Sequence, residues 1–301
     1  MFHNVLWAVD PTAPSGPPVA LLRALDGEAD SHLQATAVLE PFDHLYAAPP
    51  AWIDPGLAKW RQHCHSALRK RIRDLLHPIA GHGIRVDYVV AEGYAASVLL
   101  ADVRRTHRDL VLLRTQSYDG KDGNKIGSLV EELLRRSPVP VCCVRDVNED
   151  YTIRRVLIAS DLSDSSLSAF EAGVTIAEER GASVTLVHLL RGWDPSLPSD
   201  VSDRLHASAK AALKAWRERQ PHMVSLRVPV EEEVLRAANA ADGILERARE
   251  LSADLIVIAS HGWTGIGGVL FGSTARRVVR GADVPVLVTR TPDSAFTGGA
   301  S

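Results

Sequence analysis

Asp254-Leu255-Ile256-Val257-Ile258, then Gly272-Ser273, then Val284-Pro285-Val286 is a pattern the chain has already used once. The earlier copy reads Asp109-Leu110-Val111-Leu112-Leu113, Gly127-Ser128 and Val139-Pro140-Val141, each element 145 residues before its counterpart. Three matches held in one register are an internal repeat, and a repeat decides the architecture before any single residue does. The beginnings agree as well. Val5-Leu6-Trp7-Ala8-Val9-Asp10 resembles Val156-Leu157-Ile158-Ala159-Ser160-Asp161 at a separation of 151, so the first copy carries about six extra residues between its first and fourth strands.

A length of 301 residues accommodates two such units of about 150 residues each. The repeat places them at 1–146 and 152–292, with the polar stretch Arg145-Asp146-Val147-Asn148-Glu149-Asp150-Tyr151 between two apolar strands. Within each unit, short β-branched runs alternate with amphipathic segments. The runs are 4–10, 33–39, 84–91, 109–114 and 139–144 in the first unit, and 155–161, 183–190, 226–234, 254–260 and 284–289 in the second. Strands apolar along their whole length and separated by helices predict parallel sheets covered on both faces. The expected fold is therefore α/β: two tandem five-stranded parallel-sheet sandwiches. Ser163 and Asp164 are candidate caps for a helix that reaches Arg180 and stops at Gly181. A second long helix is expected from Gly56 to His77, where Trp60, Cys64, Ala67, Leu68, Ile72, Leu75 and Leu76 fall at helical spacing.

Composition narrows the function. Hydrophobic residues make up 46% and charged residues 24% of the chain, with a net charge of -3, which argues against nucleic acid or a membrane surface as partner. The cluster Arg69-Lys70-Arg71-Ile72-Arg73 reads as a solvated helix face. The apolar run from Met1 is too short for a signal peptide or a membrane span. Three cysteines, with Cys142 and Cys143 adjacent in an apolar run, do not make a disulfide framework, and a cytoplasmic setting is expected.

Ligands of open parallel sheets bind beyond the carboxyl ends of strands, where the strand order reverses. In the second unit that region contains Asp161 and the loop Ala259-Ser260-His261-Gly262-Trp263-Thr264-Gly265-Ile266-Gly267-Gly268-Val269-Leu270-Phe271-Gly272-Ser273-Thr274. Its glycines let backbone N–H groups turn inward, and Gly272-Ser273-Thr274 opens a helix whose free N–H groups and dipole favour a phosphate. The plain alternative is a flexible loop in which Ser273 is only a helix cap. His63-Cys64-His65 lacks metal-site spacing, and His188 reads as structural. No catalytic dyad, Gly-x-Ser-x-Gly turn or Gly-Lys-Ser/Thr loop is visible, so no enzyme activity beyond slow ATP hydrolysis is expected.

Ser260-His261-Gly262, nine residues, Gly272-Ser273, and then Val284-Pro285-Val286-Leu287-Val288 resemble the universal stress protein family, whose fold is of the adenine nucleotide alpha hydrolase type. Nucleotide-binding members carry glycine, two residues, glycine, nine residues, then glycine and Ser or Thr. The resemblance implies ATP, or AMP or ADP, held in the second unit by Ser160, Asp161, Leu189, Ala259, Gly262, Gly272, Ser273 and Thr274. Asp161 would contact base or ribose, and Gly262 with Gly272-Ser273 would cradle the phosphates. One position departs: Ala259 stands where the family has its first glycine, harmless at negative φ and strained at positive φ. The first unit departs further, with Arg114 and Ser117 in the glycine positions and Pro11, Pro14, Pro17 and Pro18 after Asp10. Its pocket is expected to be occluded, and the unit to act as a structural partner. The resemblance also implies that the fifth strands pair within the chain about a pseudo-twofold axis, a pseudo-dimer compatible with further homodimerisation. Function is then read as a nucleotide-binding stress-response regulator or sensor, with a nucleotide-independent scaffold as the alternative. Adenylate-forming chemistry is disfavoured by the lack of a Ser-Gly-Gly-x-Asp-Ser loop.

Overall fold

The computed structural model describes residues 2–10, 19–26, 31–40, 55–77, 84–115, 127–145, 148, 150–190, 194, 196–220, 227–260 and 271–290. The first half runs β1 (Asn4–Val9), α1 (Val19–Asp26), β2 (His32–Leu39), α2 (Pro55–Leu76), β3 (Arg85–Glu92), α3 (Ala95–Arg105), β4 (Leu110–Arg114), α4 (Ser128–Arg136) and β5 (Val141–Val144). The second half repeats the order with β6 (Arg155–Ser160), α5 (Asp164–Arg180), β7 (Ser183–Leu189), α6 (Ser199–Glu218), β8 (Val230–Leu235), α7 (Ala240–Glu250), β9 (Leu255–Ala259), α8 (Ser273–Gly281) and β10 (Val286–Thr289).

Each half is a five-stranded parallel sheet, and the two join into one ten-stranded sheet of order β3-β2-β1-β4-β5-β10-β9-β6-β7-β8. Among the described residues the only antiparallel pairing is β5 with β10, where Val286, Leu287 and Val288 face Cys143, Cys142 and Val141. Cys142 and Leu287 are repeat counterparts, so the pseudo-twofold axis passes through a position paired with itself. The expected intrachain pairing of the fifth strands is thus present, and it removes two open sheet edges.

Alternation along the strands builds two cores. Val5, Trp7, Val156 and Ile158 face one side, covered by Leu68, Ile72 and Leu76 of α2, Phe170 and Ala177 of α5, and Trp216 of α6. Leu6, Val111, Leu157 and Ile256 face the other, under Leu99 and Val103 of α3, Leu133 of α4, Ile244 of α7 and Val278 of α8. Both cores draw residues from both halves.

The local signals behave as their chemistry requires. Ser163 caps α5 by accepting from the Ser166 N–H, and Gly181 ends the helix in the left-handed region at φ 64°. The aspartates that head the repeat clamp the sheet: Asp109 Oδ2 accepts from the N–H groups of His3 (2.7 Å) and Asn4 (3.0 Å). Asp254 Oδ2 accepts likewise from Arg154 and Arg155, both at 2.8 Å. Helix α6 begins at Ser199, with Pro198 at its N-cap and no side-chain capping bond.

Candidate nucleotide site

Within the second half the strand order is β8-β7-β6-β9-β10, so connections leave β6 toward one edge and return to β9 toward the other. The crevice between the carboxyl ends of β6 and β9 is therefore the switch point. Ala159 pairs with Ile258 there, which sets Ser160 and Asp161 beside Ala259 and Ser260. On the far side of β6, Ser160 pairs with His188, and Leu189 closes β7. The start of α8 is brought to the same place by a hydrogen bond from the Gly272 N–H to the Ser260 carbonyl, 2.9 Å. Ser160, Asp161, Leu189, Ala259, Gly272, Ser273 and Thr274 thus lie around one end of the sheet. Gly262, His261 and Trp263 lie outside the described residues.

The helix start fits an anion. Gly272 is the N-cap of α8, with φ -59° and ψ 137°, and it makes no side-chain capping bond. Ser273 is the first helical residue rather than the cap, and it is exposed, with Thr274 half-buried. The first-turn N–H groups carry no acidic neighbour within the turn, so the positive end of the helix dipole is not neutralised there.

Ala259 is compatible with that geometry. It ends a regular strand and is not among the described non-glycine residues at positive φ, which are His107, Leu162 and Ser252. Its methyl group is buried in the core under α5, the face opposite to α8. The alanine thus neither strains the backbone nor projects toward the helix start.

The β6–α5 turn is a dense hydroxyl network. Ser160 Oγ lies 2.8 Å from Ser166 Oγ and accepts from the Leu162 N–H at 3.0 Å, so this side chain is committed to the turn. Asp161 Oδ1 accepts from the N–H and hydroxyl of Ser163, which fixes the carboxylate. Leu162 between them sits at φ 64°, a conformation that costs a non-glycine residue about 1–2 kcal/mol. His188 Nδ1 lies 2.9 Å from the Ser160 carbonyl, which can only accept, so that nitrogen carries the proton and the ring ties β7 to β6. The sequence pattern pointed to Asp161 but held no signal for the strain at Leu162.

In the first half, Thr115 repeats the frame of Ser260: its N–H donates to Val144 O at 3.1 Å, as that of Ser260 does to Thr289 O at 2.8 Å. Arg114, half-buried, ends β4 where β9 has Ala259, and Ser117 lies outside the described residues. Gly127 caps α4 as Gly272 caps α8. The charged network peculiar to this half is elsewhere. Arg108, 4% exposed, reaches Asn4, Gln34 and Asp102, and Gln34 Nε2 donates to Asp102 at 2.9 Å. Asn4 and His32 open β1 and β2, so the cluster occupies the end of the sheet opposite the crevice. Burial lowers the Arg108 pKa, and Asp102 works against that shift.

A mostly parallel α/β sheet with a helix start docked at its switch point defines a class of ligand-binding folds rather than one protein. The sequence profile described as the Universal stress protein family matches residues 1–145 and again 152–290, and the chain belongs to that family in its tandem form. It is 24% identical over 304 residues to the Universal stress protein E homolog of Haemophilus influenzae, covering 92% of this chain and 94% of that one. A universal stress protein of Methanocaldococcus jannaschii is 32% identical over 154 residues, covering 48% of this chain and 86% of that one. The crystal structure of a universal stress protein from Archaeoglobus fulgidus superposes with a TM-score of 0.70 at 18% identity, covering 96% of this chain and 97% of that one.

Proposed function

We propose that the second half binds ATP, or AMP or ADP, in the crevice between β6 and β9, and that the chain acts as a nucleotide-responsive stress regulator. The observation that carries this reading is the start of α8: an N-cap without side-chain partner, held to the end of β9 by the Gly272–Ser260 bond. Ser273 and Thr274 would offer N–H and hydroxyl donors to phosphate, with Gly262 and Gly272 leaving room for its approach. Asp161, its Oδ1 fixed by Ser163, would accept from ribose or base, and Leu189 would give the base an apolar contact. A bound nucleotide would supply negative charge at the helix start and a flat base at the strand ends. Its output is a change in conformation or assembly, since a ligand shifts only an equilibrium between states it binds differently.

Thermal unfolding with and without ATP tests the reading. At one hundred times Kd, ATP adds about 2.7 kcal/mol to stability, which raises the melting temperature by roughly 4 °C when a chain of 301 residues unfolds in one transition. Gly272→Val and Gly262→Val should each abolish that rise. An unchanged melting temperature, together with no nucleotide released on denaturing freshly purified protein, favours the second reading, a scaffold. The observation behind that alternative is the continuous sheet through β5 and β10, which gives the two halves a paired structure without any ligand.

A further inference from the structure

We propose that Arg145, a residue of the first half, is a positioning residue for the anion-binding start of α8 in the second half; the inference rests on the nucleotide reading above. Helix α8 has 9 residues, about 13 Å at 1.5 Å per residue. Its first turn faces the crevice, and its last turn faces the first half. There Arg145 Nη2 donates to the Arg280 carbonyl at 2.6 Å. Midway along the helix, Arg276 pairs with Glu131 of α4 at 3.4 Å. The first half thus holds the middle and the end of the helix whose beginning meets the phosphate.

Two effects follow from that contact. A guanidinium at a helix C-terminus satisfies an orphan carbonyl and meets the negative end of the dipole, which steadies the last turn. A short helix held at its far end also keeps its first-turn N–H groups in register with the ligand, where small displacements weaken several bonds together.

The repeat supplies its own control. Arg290, the counterpart of Arg145, donates to Arg135 O at 2.7 Å and Ser137 O at 3.2 Å, closing the end of α4. Arg135 is in turn the counterpart of Arg280. The two arginines therefore perform the same structural task on opposite helices, and α4 begins in the half whose glycine positions hold Arg114 and Ser117. A merely structural role predicts equal consequences for the two; a positioning role does not.

Calorimetric titration of the full chain with ATP separates these cases. Arg145→Met should weaken ATP binding about three- to tenfold, Arg145→Lys should recover most of the loss, and Arg290→Met should stay within about twofold of the parent. Both methionine variants should lower the melting temperature to a similar extent. Equal ATP affinity in Arg145→Met and the parent, or equal weakening by Arg290→Met, overturns the inference while the nucleotide reading stands. A parent protein that binds no ATP overturns both.

Discussion

At the scale of single residues, the chain separates its three thiols by environment. Cys142 and Cys143 are 0% and 2% exposed in β5, one facing each core. Burial pushes the Cys142 thiol up to about 12 and that of Cys143 well above its ordinary value, whereas Cys64 is half-buried on α2. Ellman's reagent at pH 8 should therefore titrate one thiol in the native protein and three after denaturation, since the thiolate is the reactive form. The same groups set an alkaline limit. Their folded pKa values lie above the unfolded one, so their contribution to stability is complete below about pH 9 and declines as pH rises from there toward about 12. Urea midpoints measured from pH 7 to pH 10.5 should fall only at the alkaline end; a Cys142→Ala, Cys143→Ala double variant should lose part of that fall. Ala259 teaches a related lesson: its departure from glycine was visible in the sequence, but its consequence depended on φ and on which face the methyl occupies.

At the scale of elements, close approach of helix to sheet constrains the second half. A Cβ built on Gly173 of α5 would lie 2.5 Å from Ile158 Cδ1 and 2.7 Å from its Cγ1, inside a core that includes Val257. Gly173→Val should therefore cost about 1–3 kcal/mol, read as a lower urea midpoint with an unchanged slope; a midpoint equal to that of the parent would mean the helix can lift off the sheet freely. The outer strands of the sheet differ in a way the pattern of apolar residues did not announce. In β8, Glu232 and Glu233 pair with Arg217 of α6 and Arg247 of α7, the kind of charge that blunts a sheet edge. On β3, Tyr88 and Val89 are 38% and 40% exposed.

At the scale of the whole molecule, the two halves share one sheet and both hydrophobic cores. The sheet runs through β5 and β10 without a break, and each core contains side chains from both repeats. Tyr151, just before the second half, is pinned by its hydroxyl to the Asp254 carbonyl, and burial raises its pKa. Scanning calorimetry should accordingly give a single transition whose calorimetric and van't Hoff enthalpies agree. Two transitions separated by several degrees would show that the β5–β10 seam couples the halves only weakly.

The repeat, the parallel strands, their order along the chain and the Asp161 and Gly272-Ser273 positions follow from the sequence itself, because apolar periodicity and a fixed separation of 145 residues are one-dimensional facts. The pairing of the fifth strands was legible there too, through family resemblance. Other features needed three dimensions. Arg145 on Arg280 and Arg290 on Arg135 join residues more than a hundred positions apart, and an arginine in a polar stretch gives no sign of the carbonyl it will meet. The tautomer of His188, the strain at Leu162 and the inward turn of the Ala259 methyl depend on neighbours that only the folded sheet assembles. Local pattern sets which elements form; long-range packing decides what each side chain touches, and the character of the candidate site rests on those contacts.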